Sequence, residues 1–217
     1  MNYQFQFDAV FAAWPLLLKG TWITVQLSLT ATLLGLVVAI FCAWGKTGGP
    51  LWLRFLISAY IEVIRNTPFI VQLFFFFFAL PSIGLRWSPY TAALTAMVVN
   101  LGAYAAEIVR AGIESIPKGQ IEAGKALNLK PWEIFRFVIL KPALKAIYPA
   151  LTSQFILLML SSAVVSVISA DDLTSVAANL QSQTFRSFEI YIVVTAIYLA
   201  LALSFSALFK LIYQRVL

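Results

Sequence analysis

The sequence predicts an all-α integral membrane protein with about five transmembrane helices. Three observations lead there. The 217 residues are 61% hydrophobic and only 11% charged, where a soluble domain carries about 25% charged residues. Mean hydropathy is +0.89. Five windows contain no Asp, Glu, Lys or Arg: Gly20–Gly45, Asn66–Leu85, Trp87–Ala106, Ala146–Ala170 and Ile190–Phe209. A helix needs roughly 20 apolar residues to cross the hydrocarbon of a bilayer, so each window reads as one span. The spans run near 20–45, 55–81, 87–112, 146–170 and 188–211. They belong to one transmembrane domain, 1–217, with a polar loop over 113–145.

The opening stretch "MNYQFQFDAVFAAW" has no basic region of the kind that starts a signal peptide. The apolar run Ala9–Leu18 is too short to span and is interrupted by Pro15, so a helix lying at the membrane surface is expected there. Cys42, the single cysteine, falls inside the first span and reads as a small buried apolar residue. Glu62 and Arg65, three residues apart, are expected to pair. Pro68 is expected to kink the second helix. The run Phe74–Phe78 supplies lipid-facing and packing surface. In "PSIGLRWSP" the chain turns on Pro81, Gly84 and Pro89.

Orientation follows from the Lys and Arg count in the loops, since cytoplasmic loops collect both. The first connection holds Lys46 and Arg54, and the second holds only Arg86. The third, Arg110 to Lys145, holds seven basic residues. The fourth sets Arg186 against Asp171, Asp172 and Glu189, and the tail carries Lys210 and Arg215. This alternation predicts a cytoplasmic C-terminus and an N-terminus on the outside.

Several function classes are excluded. The absence of histidine removes His-based acid–base chemistry and ordinary His metal sites. No span contains paired carboxylates, which argues against an intramembrane enzyme. The net charge of +6 sits in short loops, where membrane topology explains it without nucleic acid. "GKT" at Gly45–Thr47 is no phosphate-binding loop, because that motif needs a glycine where Ile40 stands. No catalytic residue, metal or cofactor is expected. An ion channel or a structural membrane subunit stays open on these grounds alone.

The polar loop carries the most specific signal. Glu107, Arg110, Glu114 and Lys118 are spaced three and four apart, and form one charged stripe with Glu107 and Arg110 pairing. Pro117 and Gly119 break the chain, and Gln120–Leu127 makes about two turns of helix. Ala123, Gly124 and Ala126 let another surface approach that helix closely. Asn128 follows in the position that ends a helix in left-handed conformation. Pro131 fits the first turn of the next helix, in which Trp132, Phe135 and Ile139 share a face.

The stretch "IEAGKALNLKPWEIFRFVILKPAL" resembles the EAA loop of permease subunits from binding-protein-dependent ABC importers. "YIEVIRNTPFIVQLFFFFF", "GAYAAEIVRAGIESIPKGQ" and "SQTFRSFEIY" are similar to stretches of the branch that imports polar amino acids and opines. Gly124 stands for the second Ala of Glu-Ala-Ala, Asn128 for the loop glycine, and Lys141 for the Leu of Leu-Pro. The resemblance implies a type I importer bundle in which Gln120, Glu122, Ala123, Gly124, Leu127 and Asn128 belong to a coupling helix. That helix would dock in a cytoplasmic ATPase subunit, with Glu122 as the docking carboxylate. It also implies a solute-binding protein, a second permease chain (identical or homologous) and alternating access. Polar groups within spans are costly and point to function. Asn100 and Tyr104 on the third helix, and Gln154, Ser161, Ser162 and Ser166 on the fourth, are expected along the substrate path. Met159 and Leu160 stand where many relatives carry a charge, so selectivity is expected to rest on the binding protein or a second permease.

Overall fold

The computed structural model describes residues 3–216. All regular secondary structure among them is helical: α1 (Asp8–Ala12), α2 (Trp14–Gly48), α3 (Leu51–Arg65), α4 (Phe69–Phe74), α5 (Pro89–Glu114), α6 (Lys118–Ala126), α7 (Pro131–Glu133), α8 (Leu140–Ser161), α9 (Leu173–Thr184) and α10 (Ser187–Val216). Four helical stretches are long and apolar enough to cross a membrane: Trp14–Gly48, Pro89–Glu114, Pro131–Ile168 and Ser187–Arg215. A fifth is the pair Leu51–Arg65 and Phe69–Ile83, bent by 110°. The second window is therefore only the second arm of a broken helical pair. Pro68 and the extended backbone at that residue (ψ 140°) stop the helix completely where a kink was expected.

Small residues make the core. Along α2, Ala31, Gly35, Ala39 and Ala43 recur every fourth position and are buried. They face Ala92, Ala93, Ala96, Leu101, Gly102, Ala103, Ala105 and Ala106 of α5. Lipid offers apolar groups as good a solvent as the protein does, so helices in a bilayer associate through close packing, which small residues permit. The fit is tight enough to require glycine. A Cβ on Gly35 would stand 2.9 Å from Leu101 Cδ2, and one on Gly102 would stand 2.8 Å from Val38 Cγ1.

α5 and α8 close on each other at the end of the bundle that carries α6. A Cβ on Gly112 would lie 2.1 Å from Ile147 Cγ2. At the same end Lys46 Nζ donates to Glu107 Oε1 at 2.7 Å, and Arg110 Nη2 donates to Glu107 Oε2 at 2.8 Å. Arg110 also reaches Glu114. The expected Glu107–Arg110 pair is present, and Lys46 extends it to α2. Lys118 does not continue the stripe, because α5 ends at Glu114 and Lys118 opens α6.

The N-terminal region differs from expectation. Ala9–Leu18 is not one surface helix: α1 ends at Ala12, and from Trp14 the chain already belongs to α2, with Pro15 in its first turn. At the far end of the bundle the fourth connection is mostly helix, α9. Its N-cap Asp172 is fully buried and accepts from Ser175 N at 2.9 Å and Thr174 N at 3.2 Å. Leu173 N donates to Thr24 Oγ1 of α2 at 3.1 Å. Glu189, also fully buried, receives Tyr3 Oη at 2.6 Å and Gln6 N at 2.9 Å, so it ties the N-terminal segment to the start of α10. The turn before α5 is as read from sequence. Gly84 is left-handed (φ 89°), Pro89 opens the helix, and Ser88 Oγ caps it by accepting from Thr91 N at 3.1 Å.

Candidate functional site

The break between α3 and α4 gathers polar groups within the bundle. Gln72, in the first turns of α4, is buried and carries the break. Its amide nitrogen donates to Ile64 O at 2.8 Å, Thr67 Oγ1 at 2.9 Å and Thr67 O at 3.1 Å. Two of these acceptors are backbone carbonyls, of Ile64 at the end of α3 and of Thr67 in the linker, and the third is the Thr67 hydroxyl; a side chain satisfies them in place of water. Gln72 Oε1 in turn accepts from Asn100 Nδ2 of α5 at 3.0 Å. Asn100 is thus partly committed to holding the break. Gln72 was not singled out in the sequence, although a glutamine four residues after Pro68 in an apolar run was the available signal.

Beside this hinge lies a pocket of about 240 Å³ lined by Ile61, Glu62, Arg65, Asn66 and Tyr104. The expected Glu62–Arg65 pair is not formed, since no N–O distance within 4 Å joins them. Glu62 accepts from Asn66 Nδ2 at 3.1 Å instead. The Arg65 guanidinium lies over the Tyr104 ring, 5.5 Å from its centroid, and Arg65 O accepts from Tyr104 Oη at 3.4 Å. Tyr60 Oη, donating to Val99 O at 2.6 Å, fixes the wall of α3 to α5. The result is one carboxylate and one guanidinium, both exposed and unpaired with each other, on the rim of a single polar pocket.

On α8 the predicted polar residues separate. Gln154 is half-buried and Ser161 exposed. Ser162 is fully buried, and its hydroxyl donates to Met159 O at 2.6 Å. The helix tightens into 3₁₀ geometry over Ser162–Ile168, and the hydroxyl turns back on its own backbone. Ser166 does the same, donating to Ala163 O at 2.8 Å. No hydrogen bond links Asn100 or Tyr104 to Gln154 or Ser161 among the described residues.

The charged loop folds as a separate piece at the end of α5 and α8. α6 closes through two backbone bonds: Asn128 N to Lys125 O at 2.9 Å and Leu129 N to Gly124 O at 3.1 Å. Asn128 has φ 56°, the left-handed conformation that this closure requires. Glu133 then accepts from Lys130 N at 2.7 Å at the head of the next helix. Gly124 is buried inside the chain. A Cβ there would come 3.2 Å from Ile134 Cγ1, so the smallness of Gly124 serves packing on Ile134, not approach by an outside surface. Gln120, Glu122, Ala123 and Leu127 are exposed, Leu127 to 75%. Trp132 and Phe135 stack at 5.7 Å, but the backbone from Ile134 to Ile139 is π-helical, so the even face expected with Ile139 is not kept.

Comparison with known proteins agrees with this architecture. Residues 31–217 match the model of the binding-protein-dependent transport system inner membrane component. The glutamine transport system permease protein GlnP of Escherichia coli (strain K12) is 37% identical over 214 residues, covering 98% of each chain. The octopine transport system permease protein OccM of Rhizobium meliloti is 33% identical, over 90% of this chain and 84% of its own. A crystal structure of an amino acid ABC transporter with histidines superposes with a TM-score of 0.92 at 38% identity, over 99% of this chain and 100% of that one. The inward-facing MetNI methionine ABC transporter shares the fold, with a TM-score of 0.79 at 23% identity over 95% and 98% of the two chains. These likenesses favour a permease over a channel or a purely structural subunit. The chain belongs to the family of binding-protein-dependent transport system inner membrane components and is a permease subunit of an ABC importer.

Proposed function

We propose that this permease passes a polar amino acid, and that the pocket at the break between α3 and α4 receives it. The supporting observation is the unpaired Glu62 and Arg65 on the rim of one polar pocket with Asn66 and Tyr104. A free amino acid carries an ammonium and a carboxylate, and these two side chains offer each its counter-charge. Secondary transporters hold their substrates at discontinuous helices, where irregular backbone lines a cavity, and the same physics suits this break. The relatives named for glutamine and octopine transport support the same substrate class. Asn100, Tyr104, Gln154 and Ser161 belong to the path in this reading, and Ser162 does not.

Coupling uses the α6 segment. ATP is hydrolysed on separate ATPase chains that dock against Gln120, Glu122, Ala123 and Leu127. Asn128 fixes the angle at which the chain leaves α6. A solute-binding protein delivers substrate at the α9 end, and a second permease chain completes the path. The Lys and Arg distribution supports a cytoplasmic α6 end and an outer N-terminus.

The test uses reconstituted vesicles containing the complete transporter. Arg65→Gln and Glu62→Gln should each cut uptake of labelled L-glutamine at least tenfold while ATPase co-purification persists. Glu122→Ala should reach the membrane at normal level yet lose both uptake and the ATPase. Full uptake in both pocket variants would remove the substrate role of the pocket.

A further inference from the structure

A second groove, mostly apolar but edged by hydroxyls and one lysine, lies between α8 and α10. It has a volume of about 240 Å³ and is bounded by Tyr148, Pro149, Thr152, Ser153 and Ile156 on α8 and by Ser206, Phe209, Lys210 and Tyr213 on α10. Nothing in the transport reading uses it.

The hydroxyls on its two walls are not equivalent. On α8 every donor is already spent. Thr152 Oγ1 and Ser153 Oγ both donate to Pro149 O at 2.9 Å, and Tyr148 Oη donates across the groove to Phe209 O at 2.9 Å. On α10 the opposite holds. Ser206, Lys210 and Tyr213 have no acceptor among the described residues, and no carboxylate lies within 4 Å of Lys210 Nζ among them. Their spacing of four and then three residues puts them on one stripe of the helix. The groove therefore presents three free donors, one of them cationic, and no anion to answer them.

Depth identifies what could answer them. Lys210 follows Ser187, the start of α10, by a rise of ~35 Å at 1.5 Å per residue. That exceeds the hydrocarbon thickness of ~30 Å, so Lys210 and Tyr213 reach the headgroup layer at the α6 end. Ser206 lies one turn deeper, and Ile156 and Phe209 line the groove as apolar wall. A free phosphate would use the cation but not the wall. A phospholipid uses both, with its phosphate on Lys210 and Tyr213, its ester region at Ser206, and its acyl chain along Ile156 and Phe209.

We propose that the α8–α10 groove is a binding site for an anionic phospholipid of the leaflet at the α6 end. The site rests on membrane embedding alone, so it stands or falls separately from the amino-acid pocket. Basic pockets between membrane helices are known to favour such headgroups.

The experiment titrates the full purified chain with phosphatidylglycerol and with phosphatidylcholine, and counts bound lipid by native mass spectrometry. Phosphatidylglycerol should bind in preference. Lys210→Ala should weaken it about fivefold, as expected for one juxtamembrane cation, and Lys210→Arg should retain it. Tyr213→Phe should weaken it about twofold, the scale of one hydrogen bond. Arg215→Ala removes the same charge at the same end but outside the groove, and should change binding less than Tyr213→Phe. An equal loss in Arg215→Ala would reduce the effect to general surface charge and overturn the site. So would unchanged binding in Lys210→Ala, equal binding of phosphatidylcholine, or displacement of the lipid by millimolar glycerol phosphate. Cross-linking of two chains through Ile156→Cys in a Cys42→Ser background would place a second permease in the groove, which also overturns the proposal.

Discussion

The two ends of the bundle are closed by opposite means. At the α9 end the closing groups are two fully buried carboxylates: Asp172 accepts from two backbone N–H groups and Tyr198, and Glu189 accepts from Gln6 N and Tyr3, with the Arg186 guanidinium 3.7 Å away. At the α6 end the charges Lys46, Glu107, Arg110 and Glu114 are partly exposed and pair with one another. The shape there comes from a backbone turn at Asn128 and from close packing at Gly112 and Gly124. A buried acceptor that loses its role leaves desolvated partners behind, whereas an exposed ion pair is readily replaced by water. The α9 end is thus built to stay as it is. The α6 end leaves its charged and apolar surface free for another protein while its backbone geometry remains set.

This contrast can be broken by substitution at either end. The largest effect is expected at Glu189. Glu189→Ala removes the acceptor of Tyr3 and Gln6 and the ion-pair partner of Arg186, and should lower stability more than any of the other substitutions. The thermal melt of the purified protein should drop clearly. An unchanged melt would mean that the N-terminal segment contributes nothing to this end.

Asp172 should give a pH signature. Burial pushes its carboxyl up to about 6 from a usual value near 3.8. The folded state therefore holds a proton that the unfolded chain has already lost between those values. Stability is greatest below pH 4 for this group, and falls as pH rises through 4 to 6, by about 2 kcal/mol. Asp172→Asn keeps an acceptor for Ser175 N, removes the titration, and should melt higher than the parent at pH 7. A variant whose melt still falls between pH 4 and 6 by the parental amount would assign the effect to another group.

Smaller effects belong to the α6 end. Asn128→Val forces a β-branched residue to positive φ, a strain of about 1–2 kcal/mol, whereas Asn128→Gly adopts it freely. Uptake per ATP hydrolysed should fall for valine and hold for glycine, with the melt lowered by a few degrees for valine and unchanged for glycine. Equal performance would show that the shape of this turn does not transmit motion. Lys46→Met removes one partner of a partly exposed pair and should cost only about 0.5 kcal/mol, less at high salt. A loss as large as that of Glu189→Ala would erase the distinction between the ends.

Much of this was legible in the sequence, because the signals involved are local. Spans announce themselves as charge-free windows, since a bilayer tolerates almost no unpaired charge. The turn at Gly84–Pro89 and the left-handed Asn128 were readable because backbone preference is a property of the residue itself. The loop helix α6 was readable from Pro117 before it and Asn128 after it, but Gly119, read as a breaker, lies inside the helix, which starts at Lys118 and not at Gln120.

Tertiary structure alone decided which groups meet. Glu62 and Arg65 have ideal spacing for a pair, yet the end of α3 turns Arg65 onto Tyr104 and leaves Glu62 to Asn66. Ser162 looked like a path residue, but it is fully buried and its hydroxyl turns back on its own backbone. Gly124 looked like an open docking face and instead receives Ile134. Gln72 bridges a helix break to Asn100, 28 positions away in the chain. A sequence fixes what each residue prefers over a few neighbours. The direction a side chain faces, and whether its partner is water, lipid or a carbonyl from another helix, depends on how those helices cross, and that is set only when the stripe of small residues on α2 finds the one on α5.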